Sequence, residues 1–240
     1  MIAKNKVSVI RVSVSTNRHG HGSLTLSHTA EINMLNVTGN LFVIAAPSGA
    51  GKTTLVKALS QSMDGLQISV SHTTRAMRPG EVNGQDYFFI DESVFHDMTE
   101  KQAFLEYATV FGHHYGTSRQ WVHDQLHAGV DVVLEIDWQG ARQIHQLFPQ
   151  AILVFILPPS IDTLKNRLLS RKQDNSETIE KRMSAAQEEM SHYREFHFLV
   201  VNDQFDVALR DLQHIVLAAR LKMSIQITKL SALLDNLLRK

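Results

Sequence analysis

Hydrophobic and polar positions fall into alternating blocks along the chain. An apolar run, Leu41-Phe42-Val43-Ile44-Ala45, precedes a glycine-bearing stretch and then Leu55-Val56-Lys57-Ala58-Leu59, a helical pattern extending to about Ser62. Leu66 to Ser71 and Asp86 to Ile90 read as strands, Ser93 to Met98 and Glu100 to Tyr107 as short helices. Glu106 to Ser118 is aromatic and glycine-rich and reads as strand, turn and strand, with Ser118 placed to cap a helix running to about Ala128. Asp131 to Asp137 is a mostly apolar strand with acids at its C-terminal end. A helix over Ala141 to Leu147 is followed by the fully apolar Ala151 to Leu157, as in the middle of a parallel sheet, which Pro158-Pro159 stops. Helices are expected over Ile161 to Ser170, Thr178 to Tyr193 and Phe205 to about Lys222, with a short strand at Phe198 to Val201. Ser224 to Lys240 carries Ile227, Leu230, Leu233, Leu234, Leu237 and Leu238 at near-helical spacing, and is read first as a helix packed on the domain, second as a subunit contact in a homo-oligomer.

This alternation predicts an α/β fold with a parallel-sheet core. The short strands between about Val70 and Gly129 interrupt it as an inserted lobe, and the arginine-rich stretch Arg167 to Arg182 has the form of a helical lid.

The first strand and helix are joined by Ala46-Pro47-Ser48-Gly49-Ala50-Gly51-Lys52-Thr53, a P-loop with Ala in place of its first Gly. Gly49 and Gly51 let backbone N–H groups turn inward around phosphate oxygens, and the helix N-terminus adds its positive dipole end. Lys52 can reach the β- and γ-phosphates, and Thr53 offers a hydroxyl to Mg²⁺. Ser48, Gly49, Ala50, Gly51, Lys52, Thr53 and Thr54 are therefore the expected ATP-phosphate site. Arg75 and Arg78, in a loop ending Pro79-Gly80, are either a solvated turn or a clamp on an anionic group.

Composition narrows the function classes. Lys+Arg and Asp+Glu balance at 24 each in 240 residues, which argues against a general nucleic-acid binder. There is no cysteine, so no disulfide or thiolate chemistry, and a reducing, cytoplasmic location is expected. No apolar run approaches the ~20 residues that span a bilayer. Residues 1–36 differ from the rest, with no acid before Glu31, and read as an N-terminal extension with a strand-like stretch at Val7 to Val14. Met34 is the expected native start, and His19 and His21 read as tail rather than metal ligands.

From Asn40 to Lys222 the chain resembles guanylate kinase. The resemblance is carried by the P-loop, Ser69-Val70-Ser71-His72-Thr73-Thr74-Arg75, Arg78-Pro79-Gly80-Glu81-Val82-Asn83-Gly84, Tyr115-Gly116-Thr117-Ser118, Glu135-Ile136-Asp137-Trp138-Gln139-Gly140 and Val201-Asn202-Asp203, in this order. It implies an enzyme that phosphorylates GMP, and dGMP, from ATP with Mg²⁺, in purine nucleotide metabolism. It also implies a core (37–69, 130–166, 184–222), a GMP-binding lobe (70–129), a lid (167–183) and a C-terminal helix beyond (223–240). By the resemblance, Arg75, Arg78, Tyr87 and Tyr115 hold the phosphate of GMP, and Ser71, Glu106, Thr117 and Asp137 read guanine. Lys52, Arg75, Arg167, Arg171 and Arg182 stabilise the transferring charge. Glu135 and Asp137 approach the metal through water, and Asn202 and Asp203 lie on the adenine side. Glu135 stands where the family usually has Asp, and Ser170 and Lys172 where lid glycines are common. Two other classes compete: a non-catalytic guanylate-kinase-like scaffold module, and a P-loop kinase for another acceptor. The intact Lys52, Thr53 and arginines oppose the first; the guanine-reading set opposes the second.

Overall fold

The computed structural model describes residues 38–170 and 176–239, and the side chains of Ser170 and of residues 176–181 are left aside. The N-terminal extension, with Val7 to Val14, His19, His21 and Met34, lies outside the described residues, as do Arg171 and Lys172.

The core is a five-stranded sheet in the order β2-β7-β1-β8-β9. Its strands are β1 (Leu41–Ala45), β2 (Leu66–Ile68), β7 (Asp131–Glu135), β8 (Ile152–Leu157) and β9 (Phe198–Val201). Every pairing is parallel. β1 and β8 are central and read as unbroken apolar runs because helices cover both faces. One face is closed by α1 (Lys52–Ser62) and α7 (Phe205–Arg220), whose Leu55, Val56, Leu59, Leu212 and Val216 pack with Phe42, Ile44, Val154 and Ile156. The buried Asp131 carboxylate takes hydrogen bonds from the Asn40 backbone N–H (2.7 Å), the Asn40 amide (2.9 Å) and Arg220 Nε (2.7 Å), so the edge of β7 carries no unpaired charge.

A second, four-stranded sheet has the order β4-β3-β6-β5. It comprises β3 (His72–Thr73), β4 (Phe88–Phe89), β5 (Phe104–Val110) and β6 (His113–Ser118), with α2 (Glu92–Glu100) before β5 and α3 (Arg119–His127) after β6. β3 runs antiparallel to β6 and parallel to β4, and β5 and β6 form a hairpin. Ser118 caps α3 as expected, its hydroxyl accepting from the Trp121 N–H at 3.4 Å.

The remaining helices are α4 (Trp138–Leu147), α5 (Ile161–Ser170), α6 (Ser176–Ser191), α8 (Met223–Lys229) and α9 (Ser231–Leu238), with a 3₁₀ turn at His192–Glu195. Two expectations are corrected. Glu100 to Tyr107 is not a helix: α2 ends at Glu100 and β5 begins at Phe104, where a bulge between Phe104 and Glu106 places Phe104 and Leu105 both inside. The C-terminal segment is two helices broken at Leu230, and its apolar stripe is not packed on the domain, since Leu237 and Leu238 are 70% and 78% exposed.

The β5–β6 turn carries a local cost. Phe111 and Gly112 both have positive φ, 49° and 79°, the pattern of a primed two-residue hairpin turn that favours Asn-Gly. A phenylalanine in the left-handed region costs about 1–2 kcal/mol. Phe111→Asn should raise the melting temperature by roughly 2–4 °C. A thermal melt with no rise would show that the ring's contacts offset the strain.

Candidate active site

Elements of both sheets meet at a cleft of about 260 Å³. Its first wall is the loop leaving β1. Gly49 and Gly51 take φ of 93° and 90° there. A Cβ on Gly49 would press on Leu164 and Leu168 of α5 at 3.0–3.1 Å, and one on Gly51 would strike the Asn202 amide, so both positions also require glycine for closeness. Gly51 starts α1 with no side-chain cap, leaving the helix N-terminal N–H groups to serve an anion. Ser48, Gly49, Gly51, Lys52, Thr53 and Thr54 line the cleft, whereas Ala50 is fully buried.

Lys52 Nζ donates to the Ile136 carbonyl at 2.8 Å. The Thr53 hydroxyl donates to Glu135 Oε1, so the longer acid at this position reaches the hydroxyl directly. Asp137 caps α4, its Oδ1 accepting from the Gly140 N–H at 2.9 Å while Gln139 Nε2 donates to Oδ2 at 3.0 Å. Both carboxylates line the cleft.

The opposite wall comes from the four-stranded sheet. Ser71, Arg78, Tyr87, Glu106 and Tyr115 all line it. Glu106, 4% exposed, accepts from the Thr117 hydroxyl at 2.5 Å. It rests so close to α4 that a Cβ on Gly140 would collide with its carboxylate. Burial pushes the Glu106 carboxyl up to about 7, and the nearby Asp137 adds to this against the Thr117 hydrogen bond. Thr117 itself is buried and faces Glu106 rather than the cleft.

Arg75 does not line the cleft. Its fork pairs with Glu81 at 2.7 and 3.0 Å, lies 5.4 Å from the Tyr87 ring centre, and is held protonated by that carboxylate. Glu81 also accepts from the Arg78 N–H at 2.8 Å, which fixes the loop carrying both arginines. Burial, with Glu135 and Tyr115 nearby, pushes the Tyr87 hydroxyl up to about 12, so it stays a donor.

On the helical side Arg182 lines the cleft. Arg167 instead donates to the Ala50 carbonyl (3.3 Å) and the Asn202 carbonyl (3.0 Å). The buried Asn202 amide donates to the same Ala50 carbonyl at 2.7 Å. Asp203 is exposed.

Several cleft residues have no role in the sequence reading. Glu189 of α6 accepts from the Ser48 backbone N–H at 3.0 Å, and burial pushes its carboxyl up. Its one sequence signal is a position two helical turns after Arg182. Ala108 and Val110 continue the Glu106 face of β5, and Phe111 ends it.

A glycine loop between a parallel strand and a helix, opposite a second sheet with a buried carboxylate and arginines, defines a P-loop protein with a nucleotide-phosphate site and a second polar site across one cleft. The guanylate kinase family model matches residues 38–219. A guanylate kinase of Coxiella burnetii is 57% identical over 84% of this chain and 98% of its own. One from Legionella pneumophila strain Paris is 54% identical over 84% and 96%. The crystal structure of guanylate kinase from Anaplasma phagocytophilum superimposes with a TM-score of 0.69 at 30% identity, covering 83% of this chain and 95% of that one. The chain belongs to the guanylate kinase family.

The Glu106 carboxyl also sets a pH dependence of stability. Its folded value, about 7, lies above the ordinary 4.5, so between these the native state keeps a proton that the unfolded chain has lost. Stability from this group is therefore complete below about 4.5, falls as pH rises, and is lost above about 7, a difference on the order of 3 kcal/mol. Glu106→Gln keeps an acceptor for Thr117 without the charge. Urea unfolding should find it more stable than the parent at pH 8 and nearly equal at pH 4.5; equal stability at both would refute the buried charge.

Proposed function

We propose that the chain transfers the γ-phosphoryl group of ATP to GMP, giving GDP and ADP, and uses dGMP as a second acceptor. The observation that carries this reading is Glu106, a buried carboxylate across one cleft from the P-loop. Guanine presents N1–H and N2–H₂ as adjacent donors, and a carboxylate accepts from both. Adenine has no proton on N1 and no N2 amine, so it leaves Glu106 desolvated and unpaired, a mismatch worth up to about 10⁴–10⁵ in selectivity. Thr117 orients Glu106, and Ser71 and Asp137 complete the base site.

Arg78, Tyr87 and Tyr115 hold the acceptor phosphate, with Arg75 kept in place by Glu81. The N–H groups of Gly49 and of Gly51 to Thr54, with the Lys52 ammonium, hold the donor phosphates, while the Ser48 and Ala50 N–H groups are held by Glu189 and the Pro47 carbonyl. An acceptor phosphate oxygen forms a bond to the γ-phosphorus as the bond to the β,γ-bridging oxygen breaks and ADP leaves. The nucleophile is already an anion near neutral pH, so no general base is required. Lys52 and Arg182 neutralise charge that spreads over the transferring oxygens. Arg167 acts through the P-loop backbone, by its bond to Ala50 O. Asn202 does the same, and with Asp203 borders the adenine side.

The donor set suits Mg²⁺. Among the described residues no group of three or more His, Cys, Asp or Glu could hold a metal ion. A hard cation that keeps waters and takes substrate phosphates needs little more than the Thr53 hydroxyl, with Glu135 and Asp137 accepting from its water shell. When bound it would supply charge neutralisation at the donor phosphates. Among the described residues no helix is long and apolar enough to cross a membrane.

Coupled measurement of ADP formation with Mg²⁺–ATP and GMP, dGMP, AMP, UMP and CMP tests the reading. Turnover is expected with GMP and dGMP alone; equal use of AMP would remove the guanine site. Lys52→Ala should lower kcat by about 10²–10³ with little change in KM for GMP. Because only the Glu106 carboxylate accepts both guanine donors, KM for GMP should climb toward tenfold per pH unit below about 7. A flat profile from pH 5.5 to 8 would overturn the base assignment.

A further inference from the structure

Helix α6 turns a cation and an anion toward one cleft. Arg182 and Glu189 are seven residues apart, two helical turns, so they share a face, and both line the cleft. Beside that face, Ala186 with Met183 and Met190 packs on Leu164 and Leu168 of α5. Such apolar contact is non-directional and fixes neither the axial position nor the rotation of the helix.

Two directional attachments do. At the C-terminal end, His192 stacks on Trp138 of α4 with ring centres 3.7 Å apart, and Glu195 accepts from Arg142 Nη2 at 2.7 Å and Nε at 3.0 Å. These tie the end of α6 to α4. Less than one turn before the helix ends, Glu189 Oε2 accepts from the Ser48 N–H at 3.0 Å. That bond is a directional link from α6 to the P-loop, and it lies among Lys52, Asp137 and Glu188, whose charges all act on the carboxyl.

We propose that Glu189 is a positioning residue: its bond to Ser48 N–H sets the register of α6 against the P-loop and so aims Arg182 at the transferring phosphate. The proposal rests on the reading of Arg182 as a charge-neutralising group. Glu189 needs only to accept a hydrogen bond, so its amide counterpart can replace it. A carboxylate near the phosphates carries a repulsion that the register offsets, and removing the charge while keeping the acceptor should be tolerated.

The test is a double-mutant cycle on the full chain, with kcat, KM for ATP, KM for GMP and a thermal melt for each variant. Arg182→Ala should lower kcat about 100-fold. Glu189→Ala should lower kcat about tenfold with KM for GMP unchanged, and Glu189→Gln should return it to within about threefold of the parent, because the amide oxygen accepts the same N–H. In the Arg182→Ala background Glu189→Ala should add less than a twofold loss, since there is no guanidinium left to aim. Losses that multiply in the double variant, a Glu189→Gln as poor as Glu189→Ala, or a Glu189→Ala with parental kcat would each overturn the proposal. A parental kcat for Arg182→Ala removes the prior assignment of Arg182 instead, and is told apart because Glu189→Ala is then measured against an arginine with no effect. Melting temperatures near the parent's keep the kinetic outcomes separate from loss of fold.

Discussion

A loop that gathers its N–H groups around an anion must turn its carbonyls the other way, and those carbonyls need donors. The Ala50 carbonyl answers this demand twice, accepting from Asn202 Nδ2 at 2.7 Å and Arg167 Nη1 at 3.3 Å. The Pro47 carbonyl takes the Ala50 N–H at 3.1 Å. The two donors to Ala50 come from the end of β9, the edge strand, and from α5, 152 and 117 residues further along the chain respectively. Parallel strand order is what returns them to the loop after β1. The fold therefore positions the P-loop from outside, by satisfying its back, while leaving its front open. The glycines fit this: Gly49 and Gly51 lie where neighbours press on the loop, so a side chain at either is excluded by both φ and space.

The front of the cleft holds more acid than an anion site would be expected to tolerate. Glu106, Glu135, Asp137 and Glu189 all line it. Each is occupied by a donor: Thr117 for Glu106, Thr53 for Glu135, the Gly140 N–H for Asp137, and the Ser48 N–H for Glu189. Burial raises the Glu106 carboxyl to about 7, which moderates the local negative field, and burial acts in the same direction on Glu189. Acids with fixed donors have few alternative rotamers, which makes them fixed landmarks for a ligand rather than mobile repellers.

Much of the core was legible in the sequence because its signals are local. The β1–P-loop–α1 unit, the apolar β8 and the helices α5, α6 and α7 each declare themselves within ten or so residues. The smaller sheet was harder. β3 and β4 are two residues each, too short to show a period; β3 forms because β6 offers a template, and β4 because β3 then offers one. β5 was misread at its start because the bulge buries the adjacent Phe104 and Leu105, breaking the alternation that marks a strand. The site divides the same way. Lys52 is read from the spacing of its motif, whereas Arg78 and Asp137 take their expected roles from the family resemblance. Glu189 is reached by neither route, because its partner Ser48 is 141 residues away and nothing near Glu189 marks it. Glu81 lies inside the Arg78 to Gly84 motif, but its use as the holder of Arg75 depends on the loop's conformation.

The six residues from Glu135 to Gly140 connect the two walls of the cleft. Glu135 takes the Thr53 hydroxyl and the Ile136 carbonyl takes the Lys52 ammonium, both on the P-loop side. Asp137 closes the first turn of α4, and Gly140 leaves room for the Glu106 carboxylate on the other side. One strand-to-helix junction thus touches both walls within two turns of backbone, and each touch is a hydrogen bond or a steric fit with little freedom. Longer side chains or a looser connection would let the walls drift independently. The junction therefore couples the two walls directly, while the hairpin ending at Phe111 and helix α6 border the same cleft from other parts of the chain.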